Sequence, residues 1–287
     1  AVIGAGPIGL AAAAHLIERG IDVVVYEKGR SVAASIASWG HTRLFSPWSM
    51  LIDPVAERLL RETGWQRPDD EVLPAGAELI SAYLAPLARS DRIAPHIRYG
   101  AEVLSVSREG MDRTRSAGRA EAPFALRVRT RDGVTEVSAR AVIDASGTYE
   151  SPNPLASSGL EPLGLDTVRD RVTHALPDVL GHDRARFAGR HALVVGAGHS
   201  AANTLLALVR LAELEPGTRI TWAIRTASAV RVSSSDGDQL PARATLGSAV
   251  DSHVERGLIA KIDRFEIVSL ADGGERVLVT GRRGAEL

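Results

Sequence analysis

The sequence predicts an α/β protein of two domains, each opening on a strand, tight turn, helix and second parallel strand, and three observations carry that reading. First, the apolar tripeptide Ala1-Val2-Ile3 runs into a glycine-rich turn and an alanine-rich segment that ends near Gly20. Second, the same order returns about 190 residues later, at His191-Ala192-Leu193-Val194-Val195, Gly196-Ala197-Gly198 and an apolar segment to about Ala212. Third, each unit closes on an apolar run, Asp22 to Glu27 and Arg219 to Arg225, as a parallel strand buried on both faces requires.

Between these units, Gly100 to Val106, Phe124 to Thr130 and Val134 to Ala139 alternate apolar with polar residues, the pattern of antiparallel strands. They form an antiparallel β-meander inserted in the first domain. Ala141-Val142-Ile143-Asp144 reads as one more buried strand. The stretch Ser151 to Gly164, rich in Pro, Ser and Gly, reads as a connection, which sets the expected domains at 1–160 and 161–287. The segment from Arg108 to Ala122 carries Arg113, Arg115 and Arg119 and reads as a solvated loop, with a grip on an anionic ligand as the alternative.

Composition narrows the chemistry. The 287 residues include no cysteine, which excludes a disulfide scaffold, a thiolate-ligated metal, a cysteine nucleophile or a redox-active cysteine pair within the chain. Thirty-four basic residues balance 35 acidic ones, so no electrostatic footprint points to nucleic acid or an anionic membrane. The apolar run Leu10 to Ala14 stops at His15, far short of the ~20 residues needed to span a bilayer. The expected setting is the cytoplasm, with a small molecule as partner and homo-oligomerisation left open. The chain starts at Ala1 without an initiator methionine and is expected to be a fragment of a longer protein.

The first turn, Gly4-x-Gly6-x-x-Gly9, has the spacing of a pyrophosphate-binding loop. Gly4 permits the tight turn, Gly6 lets backbone approach a phosphate, and Gly9 lets helix and strand pack closely. Glu27 stands at the end of the next strand, where a carboxylate accepts from an adenosine ribose diol and repels a 2′-phosphate. The second turn, Gly196-x-Gly198-x-x-Ala201, keeps the pattern with alanine in third place, and its second strand ends in Arg225, whose guanidinium suits a 2′-phosphate. Both domains are therefore expected to be Rossmann-like and dinucleotide-binding. An acid in one and a base in the other point to two different dinucleotides, FAD in the first domain and NADP(H) in the second.

These motifs resemble those of two-dinucleotide-domain flavoproteins, on the branch of the flavin-containing monooxygenases, over roughly Ala1 to Arg225. Asp144-Ala145-Ser146-Gly147-Thr148, followed by Pro152 and Pro154, resembles the family's Ala-Thr-Gly linker motif. The chain departs from the family in lacking the glycine pair before Trp39, and it matches the family's Phe-x-Gly-x-x-x-His signature only in part around His174. A closing segment that completes the flavin site in the family is expected beyond Leu287. The resemblance implies an FAD-dependent, NADPH-consuming oxidoreductase acting with molecular oxygen on a small organic substrate. Electron transfer to a separate acceptor, or a binding role as a redox sensor, are the alternatives.

The expected cofactor-binding set is Gly4, Gly6, Pro7, Ile8, Gly9, Glu27, Lys28, Trp39, Arg43, Ser46, Val103, Ala145, Ser146 and Gly147 in the first domain. In the second it is Gly196, Gly198, His199, Ser200, Ala201 and Arg225. Trp39, Phe45 and Trp48, three of the chain's twelve Phe, Trp and Tyr residues, fall within ten positions and are expected to line the flavin, or else to pack a loop under the meander. No catalytic residue and no metal ligand is assigned.

Overall fold

A computed structural model of the protein describes residues 1–229 and 240–284. The chain divides into two compact units, Ala1–Glu150 and Ser151–Leu287.

The first unit contains β1 (Val2–Ile3), β2 (Val25–Glu27), β3 (Ile97–Tyr99), β4 (Glu102–Arg108), β5 (Phe124–Thr130), β6 (Gly133–Ala139) and β7 (Ile143–Asp144). Four of these form a parallel sheet in the order β3-β2-β1-β7. The chain leaves β1 to one side for β2 and returns much later to its other side as β7, with Val2 opposite both Val25 and Ile143. At such a reversal the connections diverge and open a crevice at the carboxyl ends of the strands.

The helix Pro7–Glu18 makes the first crossover. Proline at its first position presets the helical φ and lacks only an N–H that the helix would leave unpaired. It buries Gly9, Leu10, Ala13 and Ala14 in the unit's core, where Val55, Ala56, Leu59 and Leu60 of the helix Pro54–Arg61 also lie. β4, β5 and β6 form a separate antiparallel sheet, in which Leu126 and Val128 close a small core with Ala101. β7 departs from expectation. It is an edge strand, with Ile143 37% exposed, because among the described residues nothing pairs with its outer side.

Asp53 ties the helices Pro7–Glu18 and Pro54–Arg61 together. Its Oδ1 accepts from the N–H groups of Val55 and Ala56, capping the helix Pro54–Arg61, while its Oδ2 lies 3.0 Å from Nε2 of His15. Arg19 donates to His15 Nδ1, so Nε2 carries the proton and donates to Asp53. Burial pushes the Asp53 carboxyl up, but the Ala56 N–H, the His15 ring and the Val55 N–H outweigh it and hold the group below its usual value. A depressed carboxyl stabilises the fold fully above its unfolded value, near pH 4, and loses that contribution as the pH falls through the lower native value. We expect Asp53→Ala to cost about 1–2 kcal/mol in urea denaturation at neutral pH, the typical loss of a helix cap. The difference from the parent should shrink as the pH is lowered below 4; a constant difference down to pH 2 would exclude this linkage.

The second unit contains β8 (His191–Val195), β9 (Arg219–Ala223) and β10 (Ala260–Ile262), parallel in the order β10-β9-β8. The helix His199–Leu214 makes the first crossover and buries Ala202, Leu205, Leu208, Val209 and Leu211, a helical spacing. A second helix, Pro241–Glu255, precedes β10, and β11 (Glu266–Asp272) pairs with β12 (Val277–Arg282) as a hairpin. The stretch expected as a connection pairs here: Leu163 bridges to Ser269, and Gly164 comes so close that a Cβ on it would stand 2.1 Å from the Leu270 carbonyl oxygen. No described helix is long and apolar enough to cross a membrane.

Candidate functional site

The first glycine turn leaves β1 at the carboxyl edge of the parallel sheet. Gly4 adopts φ +95°, and a Cβ there would stand 2.7 Å from the carbonyl oxygen of Ala145. Its N–H donates to the Tyr26 carbonyl. A Cβ on Gly9 would stand 1.9 Å from the Gly4 carbonyl oxygen, so helix and turn are in direct backbone contact. Around Gly6, by contrast, a Cβ would meet nothing within 4 Å. Open space therefore lies beside the helix's amino end, where no side chain caps the free N–H groups and no acid sits in the first turn. That arrangement receives an anion by hydrogen bonds and by the helix dipole.

Glu27 is buried, and each carboxylate oxygen takes one backbone N–H at 2.7 Å: Oε2 that of Ala5, Oε1 that of Gly29. The acid thus braces the turn. A carboxylate has about four acceptor positions, so two remain for a diol. Ala33 closes the loop from behind, donating to the Ala5 carbonyl while held at φ +54°.

The other predicted residues of this unit are distributed more widely. Ala145 and Ser146 lie against Gly4 across the β1–β7 reversal, and Gly147 follows at φ +72°. The Ser146 hydroxyl and N–H both donate to Asp144 Oδ1, at 2.6 and 3.0 Å, and hold that carboxyl below its usual value. Pro7 is half-buried and Ile8 is 70% exposed beside the turn. Lys28 ion-pairs with Glu150 at 2.5 Å and Glu102 at 3.7 Å, and the Glu150 contact raises its pKa. Val103 packs against the small core of the antiparallel sheet. Arg43 donates to the Leu73 carbonyl, and its segment bridges to Ala75. Ser46 is half-buried. Of the aromatic cluster, Trp48 is core, and the Trp39 ring covers Gly76, where a Cβ would meet it at 2.9 Å.

The second turn repeats the logic with different bracing. Gly196 adopts φ +117° after β8, and Gly198 stands extended before the helix His199–Leu214, again without a side-chain cap or an acid in the first turn. A Cβ on either glycine would meet nothing within 4 Å. His199 occupies the first helical position, Ser200 is exposed and Ala201 half-buried behind it. Arg225 lies two residues beyond the end of β9 and is exposed, with one guanidinium nitrogen 3.5 Å from the Ser157 carbonyl. Sequence reasoning missed Trp222, which is 1% exposed and donates from Nε1 to the Gly196 carbonyl at 2.8 Å. It also missed Tyr99, the register partner of Glu27 at the end of β3. A lone aromatic within a short strand reads as core, so neither carried a signal.

A concavity of about 220 Å³ lies on the antiparallel sheet, lined by Ser105, Arg108, Met111 and Arg127 among others, and takes in no residue of the first glycine turn. No group of three or more His, Cys, Asp or Glu among the described residues could hold a metal ion.

The profile of the pyridine nucleotide-disulphide oxidoreductases matches residues 1–243. The chain belongs to that family. Among curated relatives of this chain, flavin-containing monooxygenase FMO GS-OX-like 2 of Arabidopsis thaliana is 26% identical over 185 residues, 56% of this chain and 38% of that protein. Indole-3-pyruvate monooxygenase YUCCA6, also of Arabidopsis thaliana, is 28% identical over 211 residues, 72% of this chain and 44% of that protein. The chain thus spans less than half the length of these relatives. Among solved structures, bacillithiol disulfide reductase Bdr of Bacillus cereus superposes with a TM-score of 0.69 at 21% identity, covering 98% of this chain and 74% of that one. The FAD-bound cadaverine monooxygenase DfoA of Erwinia amylovora gives 0.66 at 14% identity, covering 99% and 76%. At those identities the likeness is one of fold.

Proposed function

We propose that this chain is the dinucleotide-binding portion of an FAD-dependent, NADPH-consuming oxidoreductase of the flavin monooxygenase type, acting on a small organic substrate with molecular oxygen. The observation that carries the reading is the pair of uncapped glycine turns with opposite closures, buried Glu27 at one and exposed Arg225 at the other. Both turns are Rossmann-like in their strand-turn-helix order, and we assign FAD to the first domain and NADP(H) to the second.

The residues fit those groups. The open space at Gly6 would take the FAD pyrophosphate against the helix end, and the two spare acceptor positions of Glu27 would take the ribose diol. Gly198 and the following helix would hold the second pyrophosphate, with Arg225 on the 2′-phosphate. When bound, FAD supplies the redox chemistry, accepting hydride from NADPH and passing electrons to oxygen. The protein's part is to bind and orient. A thiol relay cannot run through this chain, which has no cysteine, and the names of the curated relatives favour oxygen transfer over disulfide reduction.

Full-length protein supplied with NADPH and ¹⁸O₂ tests the reading against a panel of amines, sulfides and ketones. We expect one labelled oxygen atom in a product for each coupled NADPH consumed. NADPH oxidation with electrons passed to an added acceptor and no label in any product would replace this reading with a reductase. Cofactor binding without NADPH oxidation would replace it with a redox sensor.

A further inference from the structure

We infer that Trp222 is a positioning residue that aims the second glycine turn at a pyrophosphate. The inference deepens the assignment of NADP(H) to that turn and rests on it.

Trp222 sits on the central strand β9, with Val194 of β8 and Lys261 of β10 as its register partners. Its indole is buried, and the Lys261 ammonium stands 5.1 Å from the ring centroid. The indole N–H has one strong acceptor, the carbonyl oxygen of Gly196 at 2.8 Å. The Gly196 N–H donates to the Ala223 carbonyl at 3.0 Å, so the first glycine of the turn is held at both polar atoms by neighbouring residues of β9.

Covalent geometry supplies the consequence. The described peptide bonds are all trans, and a trans peptide directs its C=O and its N–H to opposite sides. Drawing the Gly196 carbonyl down onto the sheet therefore turns the Ala197 N–H up, away from it. That N–H takes no acceptor among the described residues. It stands one residue before Gly198, at the amino end of a helix whose cap residue, Gly198, has no side chain to offer the first-turn N–H groups. Together these donors form a concave anion site whose first member is oriented by the indole. Gly196 has no Cβ to limit its backbone and stands at φ +117°, where glycine is conformationally permissive, so without that bond only its N–H contact to Ala223 would hold the turn's first peptide. The first turn is braced in the opposite sense: Glu27 takes the Ala5 N–H itself, so the corresponding donor is already occupied.

The experiment measures equilibrium binding of three probes to full-length protein: NADP⁺, ADP and adenosine 2′-monophosphate, which lacks a pyrophosphate. Two variants remove the donor, Trp222→Phe and a replacement of Trp222 by 3-benzothienylalanine, which keeps the ring's size and lacks the N–H. Urea midpoints are recorded alongside, and the analogue decides the matter if the phenylalanine variant does not fold. The dissociation constants for NADP⁺ and ADP should rise about tenfold, the worth of one hydrogen bond, while that for adenosine 2′-monophosphate stays within about twofold. Equal losses for all three probes, or no loss for any, would overturn the role of Trp222. Gly198→Val separates this from the reading beneath it: if the parent protein binds NADP⁺ and that variant binds it equally well, the second turn is not the site and the assignment itself falls.

Discussion

Gly9→Ala is expected to lose about 3 kcal/mol in urea denaturation, at the upper end of what overpacking costs, and to take up no FAD. The added methyl would stand 1.9 Å from the Gly4 carbonyl oxygen, a backbone atom with nowhere to retreat. Gly4 is itself pressed against the Ala145 carbonyl, 2.7 Å from where its own Cβ would be, and its N–H is tied to Tyr26. Helix and strand would have to separate, taking Leu10, Ala13 and Ala14 partly out of the core. Gly6→Ala supplies the contrast. Its φ of −82° suits any residue and its Cβ has open space, so stability should stay within about 1 kcal/mol of the parent. Yet the methyl would occupy the place proposed for the pyrophosphate, and FAD affinity should fall at least tenfold. If Gly6→Ala bound FAD as tightly as the parent, the space beside Gly6 would not be the phosphate site.

The second large effect is a double dissociation between Glu27 and Arg225. Glu27→Ala should weaken FAD binding by about 1.5–3 kcal/mol, the worth of hydrogen bonds to a charged group, which is roughly a tenfold to hundredfold rise in Kd. The same change should lower stability, because it strips the Ala5 and Gly29 N–H groups of their acceptor. Binding is therefore compared at a temperature where both proteins are folded, and NADP⁺ serves as the internal reference. Arg225→Ala should do the reverse, raising the KM for NADPH about tenfold and that for NADH little, with FAD affinity and stability unchanged, since the side chain is exposed. Equal effects of Arg225→Ala on NADPH and NADH would mean that it does not read the 2′-phosphate. Unchanged FAD affinity in Glu27→Ala would leave the acid a structural brace alone.

What the sequence determined by itself is local. Gly4, Gly6 and Gly9 announced a strand-to-helix turn for reasons that act within a few residues: Gly4 takes a left-handed φ and Gly9 meets the Gly4 carbonyl, both of which disfavour a side chain, while Gly6 leaves open space beside the helix end. The strands β5, β6 and β8 were legible within a residue or so because alternation or an unbroken apolar run spans their whole length. Glu27 stands at the end of β2, where the sequence reading placed it, whereas Arg225 lies two residues past the end of β9 rather than at the strand end expected for it. The tertiary structure alone decided what depends on neighbours remote in sequence. β3 is three residues long and pairs only because β2 lies beside it, so it left no periodicity to read. Trp48 went to the core and Trp39 over Gly76, since an aromatic ring satisfies a cofactor wall and an apolar core equally well and only packing chooses. That Glu27 grips Ala5, and that Trp222 grips Gly196, are hydrogen bonds across 22 and 26 residues, respectively. No composition or spacing encodes such a bond, because its donor and acceptor meet only once the parallel sheet has brought the two strands side by side.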